Sequence, residues 1–199
     1  MKNNDLETKM LIMDVTTGLI REYGDISRIT IRDICSRADV GTGTVNYHFQ
    51  TKENLINQCV QRIIGSIIGG FDNLAESLDL EPFEKIRFLF KANIKFLVEN
   101  IGISRVSIMS DLISGSENDN SIQTRDAYLR LLRKVYGHEK SDEELKNILY
   151  IAVATLQVTF LRMETIKRVD GLDLTAEEGR DRFMDVFMDR LFHDLKGKS

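Results

Sequence analysis

An all-α fold is predicted by three features of the sequence. Apolar residues recur every three or four positions along most of the chain, a single proline (Pro82) interrupts it, and no stretch alternates polar and apolar residues over a useful strand length. The spacing and its breaks predict about nine helices, with a three-helix N-terminal head leading into a larger helical body. With 42% hydrophobic and 29% charged residues, the 199-residue chain is an ordinary globular one that buries a sizeable core.

Leu11, Ile12, Val15, Leu19 and Ile20 place an amphipathic helix over Leu6 to Tyr23, ended by Gly24. Thr30 caps a brief second helix, with Asp33 completing an approximate capping box, and Asp39-Val40-Gly41 stops it. A third short helix runs from about Thr42 to Phe49. Thr51 then caps a longer one through Leu55, Ile56, Cys59, Ile63, Ile64 and Ile67, which fades at Gly69-Gly70. Pro82 suits a first helical position, followed by Phe83, Ile86, Phe90, Ile94 and Leu97. Gly102 is expected to break this element, with a shorter helix over Ser104 to Ile113 and a loop over Ser114 to Asn120. Ser121 to Tyr136 forms the next helix, ended by Gly137. Capping boxes at Ser141-Asp142-Glu143-Glu144 and Thr175-Ala176-Glu177-Glu178 open helices to about Val169 and Leu195.

Charge and cysteine usage narrow the function classes. Residues 1–62 hold eight cations and eight anions, so the net charge of −4 lies in the remainder; residues 26–62 hold five cations against three anions. That asymmetry favours nucleic acid only weakly. Two cysteines without metal-type spacing, Cys35 and Cys59, read as small core hydrophobes in a reducing compartment. Met1-Lys2-Asn3-Asn4-Asp5 lacks the apolar core of a signal peptide, and Ile148 to Leu161 is expected to be too short to span a bilayer. A cytoplasmic protein without a membrane partner is the expectation. No cofactor and no metal are expected. An enzyme is not expected either, because no nucleophile–base pair, phosphate loop or metal cluster stands out. His138 and His193 read as surface residues.

Function concentrates in residues 30–49, two short helices joined by a tight turn. Such a unit lays its second helix in the major groove while the first crosses the backbone. In that second helix Val45 and Phe49 anchor one face to the core. Thr42, Thr44, Asn46, Tyr47 and His48 are all able to hydrogen-bond phosphates or base edges, and Gly43 permits close backbone approach.

Over roughly residues 7–67 the chain resembles the TetR family of bacterial repressors. The resemblance is carried by Ala38-Asp39-Val40-Gly41-Thr42-Gly43-Thr44-Val45-Asn46-Tyr47-His48-Phe49-Gln50-Thr51-Lys52. Three positions depart from the family pattern. Asp39 replaces a turn glycine and is expected to take a left-handed backbone. Gly41 replaces a cap serine, passing the cap to Thr42. Asn46 stands where many relatives carry tyrosine. The resemblance implies that Thr30, Tyr47, His48 and Lys52 position phosphates and that Thr42, Gly43, Thr44 and Asn46 lie nearest base edges. Arg28 and Arg32 join them on charge and placement.

The resemblance also implies a DNA-binding domain at 7–67 and an effector-binding and dimerisation domain at 68–199. Its partners would be double-stranded operator DNA, a second copy of the chain and a small-molecule effector. Helices 141–169 and 175–195 would form the homodimer interface as helices; their apolar faces, Leu145, Ile148, Leu149, Ala152, Leu156, Phe160 and Met163 on the first and Phe183, Val186, Phe187 and Leu191 on the second, read otherwise as plain core. Arg105, Met109 and Gln157, polar or adaptable side chains in apolar segments, are the effector-contact candidates. The expected function is a repressor released from a palindromic operator by its effector. The alternative is a DNA-binding interaction protein controlled by a protein partner.

Overall fold

In a computed structural model that describes residues 2–192, the described residues form eleven α-helices and no strand: α1 (Lys2–Tyr23), α2 (Ile31–Ala38), α3 (Thr42–Phe49), α4 (Lys52–Gly69), α5 (Phe71–Ser77), α6 (Pro82–Glu99), α7 (Ile101–Ser114), α8 (Asn120–Tyr136), α9 (Asp142–Leu161), α10 (Met163–Asp170) and α11 (Glu177–Leu191), with a 3-10 turn at Ile26–Arg28. His193 and the expected continuation of the last helix to Leu195 lie outside the described residues.

Local signals explain many of the boundaries. Gly24 (φ 63°) and Gly137 (φ 56°) take the positive φ that a side chain would resist, and both stop helices. Pro82 occupies the first turn of α6. At Ser141 a capping box forms, the hydroxyl accepting from the Glu144 amide at 3.2 Å while the Glu144 carboxylate accepts from the Ser141 amide at 2.8 Å.

Four boundaries differ from the sequence reading. α6 stops at Asn100, and Gly102 lies inside α7 rather than breaking a helix; a Cβ there would be in ordinary contact with the Gly24 carbonyl oxygen at 3.5 Å. The run expected over 141–169 breaks at Arg162 with no Gly or Pro to mark it. Thr175 caps nothing, because its amide and hydroxyl both donate to the Asp173 carboxylate (2.9 and 2.6 Å), and α11 starts after Ala176 without a side-chain cap. At α3 the cap is Gly41, again without a side-chain bond, and Thr42 is already helical.

The chain divides into two compact units, one of residues up to 66 with 102–115, the other of 67–101 with 116 onward. In the first, Ile12, Leu19, Ile20, Ile29, Ile34, Val45, Phe49, Leu55, Cys59, Val60 and Ile103 form one buried cluster. α7 joins it through Ile103 and through two polar contacts to α4: Asn57 donates to Ser110 (2.9 Å) and Gln61 to Asp111 (2.8 Å). In the second, Ile86, Leu89, Phe90, Ile94, Tyr128, Leu132, Leu149, Leu156, Met184, Met188 and Phe192 are buried together, with Phe90 stacked on Tyr128 at 4.1 Å. Arg87 and Lys91 of α6 pair with Asp181, Asp185 and Asp189 of α11 and pin the last helix to that core.

The apolar run Ile148 to Leu161, expected to be too short to span a bilayer, lies within α9. At 20 residues that helix is long and apolar enough, by length and composition alone, to cross a membrane. Its apolarity has another source: Leu145, Leu149, Ala152, Leu156 and Phe160 are buried within the chain. They belong to the intramolecular core, the plain reading of this apolar face, because they form the row that α9 turns inward against α6 and α8.

Candidate nucleic-acid interface

α2 and α3 form a helix-turn-helix. Thr30 caps α2 through a full capping box: its hydroxyl accepts from the Asp33 amide (3.2 Å), while the Asp33 carboxylate accepts from the Thr30 amide (2.9 Å) and hydroxyl (2.7 Å). These bonds from Thr30 hold the Asp33 carboxyl below its ordinary range. Asp39 ends α2 in the left-handed conformation (φ 51°, ψ 48°), as its place in the turn demanded. The Val40 amide then donates to the Cys35 carbonyl at 3.1 Å, closing the turn onto α3.

The far end of α3 holds a feature that the sequence reading missed. Gln50 sits at φ 66°, ψ −54°, and the Thr51 amide donates to the Phe49 carbonyl at 2.7 Å. That is a γ-turn of the rare positive-φ kind, a strained geometry for a residue with a side chain. The Asn54 side-chain amide donates to the same Phe49 carbonyl at 2.8 Å and steadies the turn. No glycine marks the position, so composition offered no signal. Thr51 caps α4 as expected, accepting from the Asn54 amide at 3.0 Å.

Val45 and Phe49 are fully buried and fix the register of α3. The turn of the helix then exposes Thr42, Gly43, Asn46 and Tyr47, the last 74% exposed, with Thr44 half-buried at the edge. A Cβ on Gly43 would meet nothing, so its surface stays open to an incoming backbone. His48 departs from this pattern. Its ring lies edge-on to Tyr47 at 5.1 Å, and its side chain is covered rather than projecting outward. Helical geometry explains why: His48 directly precedes the buried Phe49 and turns partly toward α1.

Around this helix, Arg28 is exposed and stacks over Tyr23 (5.5 Å), Arg32 is exposed on α2, and Thr30 is exposed although engaged in its cap. Lys52 is half-buried, and its ammonium donates to the Ile29 carbonyl. Cys35 is half-buried with its thiol 3.7 Å from the Thr42 hydroxyl, while Cys59 is buried deeply enough to push its thiol up to about 11. The effector-contact candidates fall in different places. Arg105 and Met109 lie on the exposed side of α7 in the first unit. Gln157 is in the second unit, where it donates to the Ser121 hydroxyl at 2.7 Å. Among the described residues no group of three or more His, Cys, Asp or Glu side chains is gathered as a metal site.

Comparison with known proteins agrees with this geometry. Residues 12–59 match the family model of bacterial regulatory proteins, tetR family. No curated protein matches the sequence. Solved structures share the fold. RolR bound to resorcinol is 17% identical over 96% of this chain and 90% of its own, with a TM-score of 0.61. A TetR transcriptional regulator from Rhodococcus sp. RHA1 is 13% identical over 96% and 99%, with a TM-score of 0.55. FadR of Bacillus subtilis bound to stearoyl-CoA is 16% identical over 92% and 96%, with a TM-score of 0.52.

Proposed function

We propose that this chain, a member of the TetR family of bacterial regulatory proteins by its residues 12–59, is a homodimeric repressor that holds a palindromic operator and releases it when a small-molecule effector binds. That it is a DNA-binding transcriptional regulator follows from the family; the rest is our reading. The division of labour would be residues 7–67 for DNA and 68–199 for effector and dimer, in a cytoplasmic protein.

The observation that carries the reading is the outward polar face of α3. With Val45 and Phe49 locked in the core, Thr42, Thr44 and Asn46 are left to meet base edges beside Gly43. Tyr47, Arg28 and Arg32 are exposed to meet phosphates, and Thr30, His48 and Lys52, each engaged in a contact within the chain, would join them on DNA. A palindrome needs two such helices, hence two copies. α9 supports this with a second apolar stripe that the monomer leaves in solvent, Tyr150, Ile151, Ala154 and Val158, and α11 adds Val186. RolR is bound to resorcinol and the Bacillus FadR to stearoyl-CoA, which supports an organic effector here; Gln157 with Ser121 is the polar pair such a molecule would meet in the second unit.

The test is an anisotropy titration of fragments upstream of the protein's own gene across a salt series. One fragment should bind selectively, with affinity falling steeply as salt rises, and Tyr47→Ala should weaken it at least about tenfold, or about 1.4 kcal/mol. Equal binding to every fragment, or an unaffected Tyr47 variant, would overturn the proposal.

A further inference from the structure

His48 is expected to approach a phosphate, yet its side chain is only 6% exposed, and Nε2 lies 3.7 Å from a carboxylate oxygen of Asp5 near the start of α1. One turn further along α1, Lys9 sets its ammonium 5.6 Å from the centre of the Phe49 ring. Asp5 and Lys9, four residues apart and on one face of α1, therefore both reach the C-terminal end of α3. The Tyr47 ring lies edge-on to the imidazole, 5.1 Å between centroids. At 3.7 Å the carboxylate is beyond a good hydrogen bond, so the contact is one of proximity between an anion and the imidazole Nε2.

To an imidazole, a carboxylate oxygen and a phosphate oxygen are equivalent anionic acceptors. We propose that Asp5 is an internal stand-in for a DNA phosphate: its carboxylate holds His48 in the free protein, the DNA backbone must displace it, and the first turns of α1 thereby restrain operator affinity. This rests on His48 being a phosphate contact in the reading above. Two effects give it the same sign. A side chain that is 6% exposed offers a phosphate little access while the Asp5 carboxylate lies 3.7 Å from Nε2. An anion held at the interface also repels the polyanion that must dock there. Operator binding would in turn free the start of α1.

The test uses the full chain and its selected operator fragment. Asp5→Asn, with Asp5→Ser as a second variant, should tighten binding at least about threefold at low salt, the size of a single surface charge interaction, and the gain should shrink as salt rises. His48→Gln should weaken binding, and in that background Asp5→Asn should gain nothing. Hydrogen exchange at the amides of Leu6–Met10 should quicken when operator is added, and should already be fast in free Asp5→Asn. Weaker binding by the Asp5 variants would make the carboxylate a positioning group and overturn the proposal. An equal gain with and without His48 would reduce it to long-range repulsion and overturn it as well. If His48→Gln binds like the parent while Tyr47→Ala does not, the operator reading stands and this inference falls. If no fragment is selected at all, both fall.

Discussion

The ammonium of Lys52 donates to the backbone carbonyl of Ile29, 3.0 Å away and twenty-three residues earlier in the chain. Ile29 is fully buried between the 3-10 turn and α2, so the bond ties the start of α4 to the start of the helix-turn-helix. A buried carbonyl that loses its donor carries its full desolvation cost. Lys52→Met should therefore lower the unfolding free energy by ~1–2 kcal/mol without any DNA present. Denaturant titration of the free protein checks this. An unchanged midpoint would leave Lys52 as a phosphate contact alone.

Relief is expected at Gln50. Its backbone (φ 66°, ψ −54°) suits glycine, and its side chain is exposed. Gln50→Gly should raise stability by ~1 kcal/mol, the strain removed exceeding the extra freedom given to the unfolded chain. Gln50→Ala, which keeps the Cβ, should give no such gain. Thermal unfolding of the pair separates backbone strain from side-chain effects.

Acid should strip one tie from the loop before α11. Hydrogen bonds from Lys167 (2.7 Å), then from the Thr175 hydroxyl and amide, hold the Asp173 carboxyl far below the usual carboxylate range. The charged form is thus preferred more strongly in the folded state than in the unfolded one. Its contribution is complete above the unfolded value near ~3.9 and is lost as pH falls below that toward the folded value. Urea midpoints followed from pH 6 downward, a range of ~3 units, should drop more steeply for the parent than for Asp173→Asn. Parallel curves would contradict the linkage. Gly179 serves the same loop: a Cβ there would fall 2.0 Å from the Asp173 carbonyl oxygen, so no other residue fits without moving the backbone.

Val158 and Ile151 offer the cleanest trial of self-association. They are 52% and 58% exposed on α9, opposite the row that builds the core. Aspartate at either should leave helicity and monomer packing intact while costing several kcal/mol across a self-paired apolar face. Sedimentation should show the parent at twice the mass of Val158→Asp at ~10 μM, a concentration at which standard-size interfaces stay closed. Equal masses would remove the dimer argument.

Much of the architecture was legible in the linear pattern. Helix existence, the Thr30 and Ser141 caps and the buried pair Val45 and Phe49 all follow from signals within four or five residues, while the left-handed Asp39 was implied by the family resemblance. α9 shows where such reading runs out. Its sequence is apolar on two faces, and periodicity cannot say which faces the core; Leu145, Leu149 and Leu156 went inward and Ile151 and Val158 outward.

By itself, then, the order of residues determined an all-helical chain and the position and register of α3, because helix hydrogen bonds, caps and the burial of Val45 and Phe49 are short-range in sequence. Tertiary structure alone decided that Asp5 approaches His48, that Lys52 reaches Ile29 and that α7 joins the first unit. Those contacts span more than twenty residues, where loop closure is compensated only by the packing of the whole unit, and no local pattern encodes them.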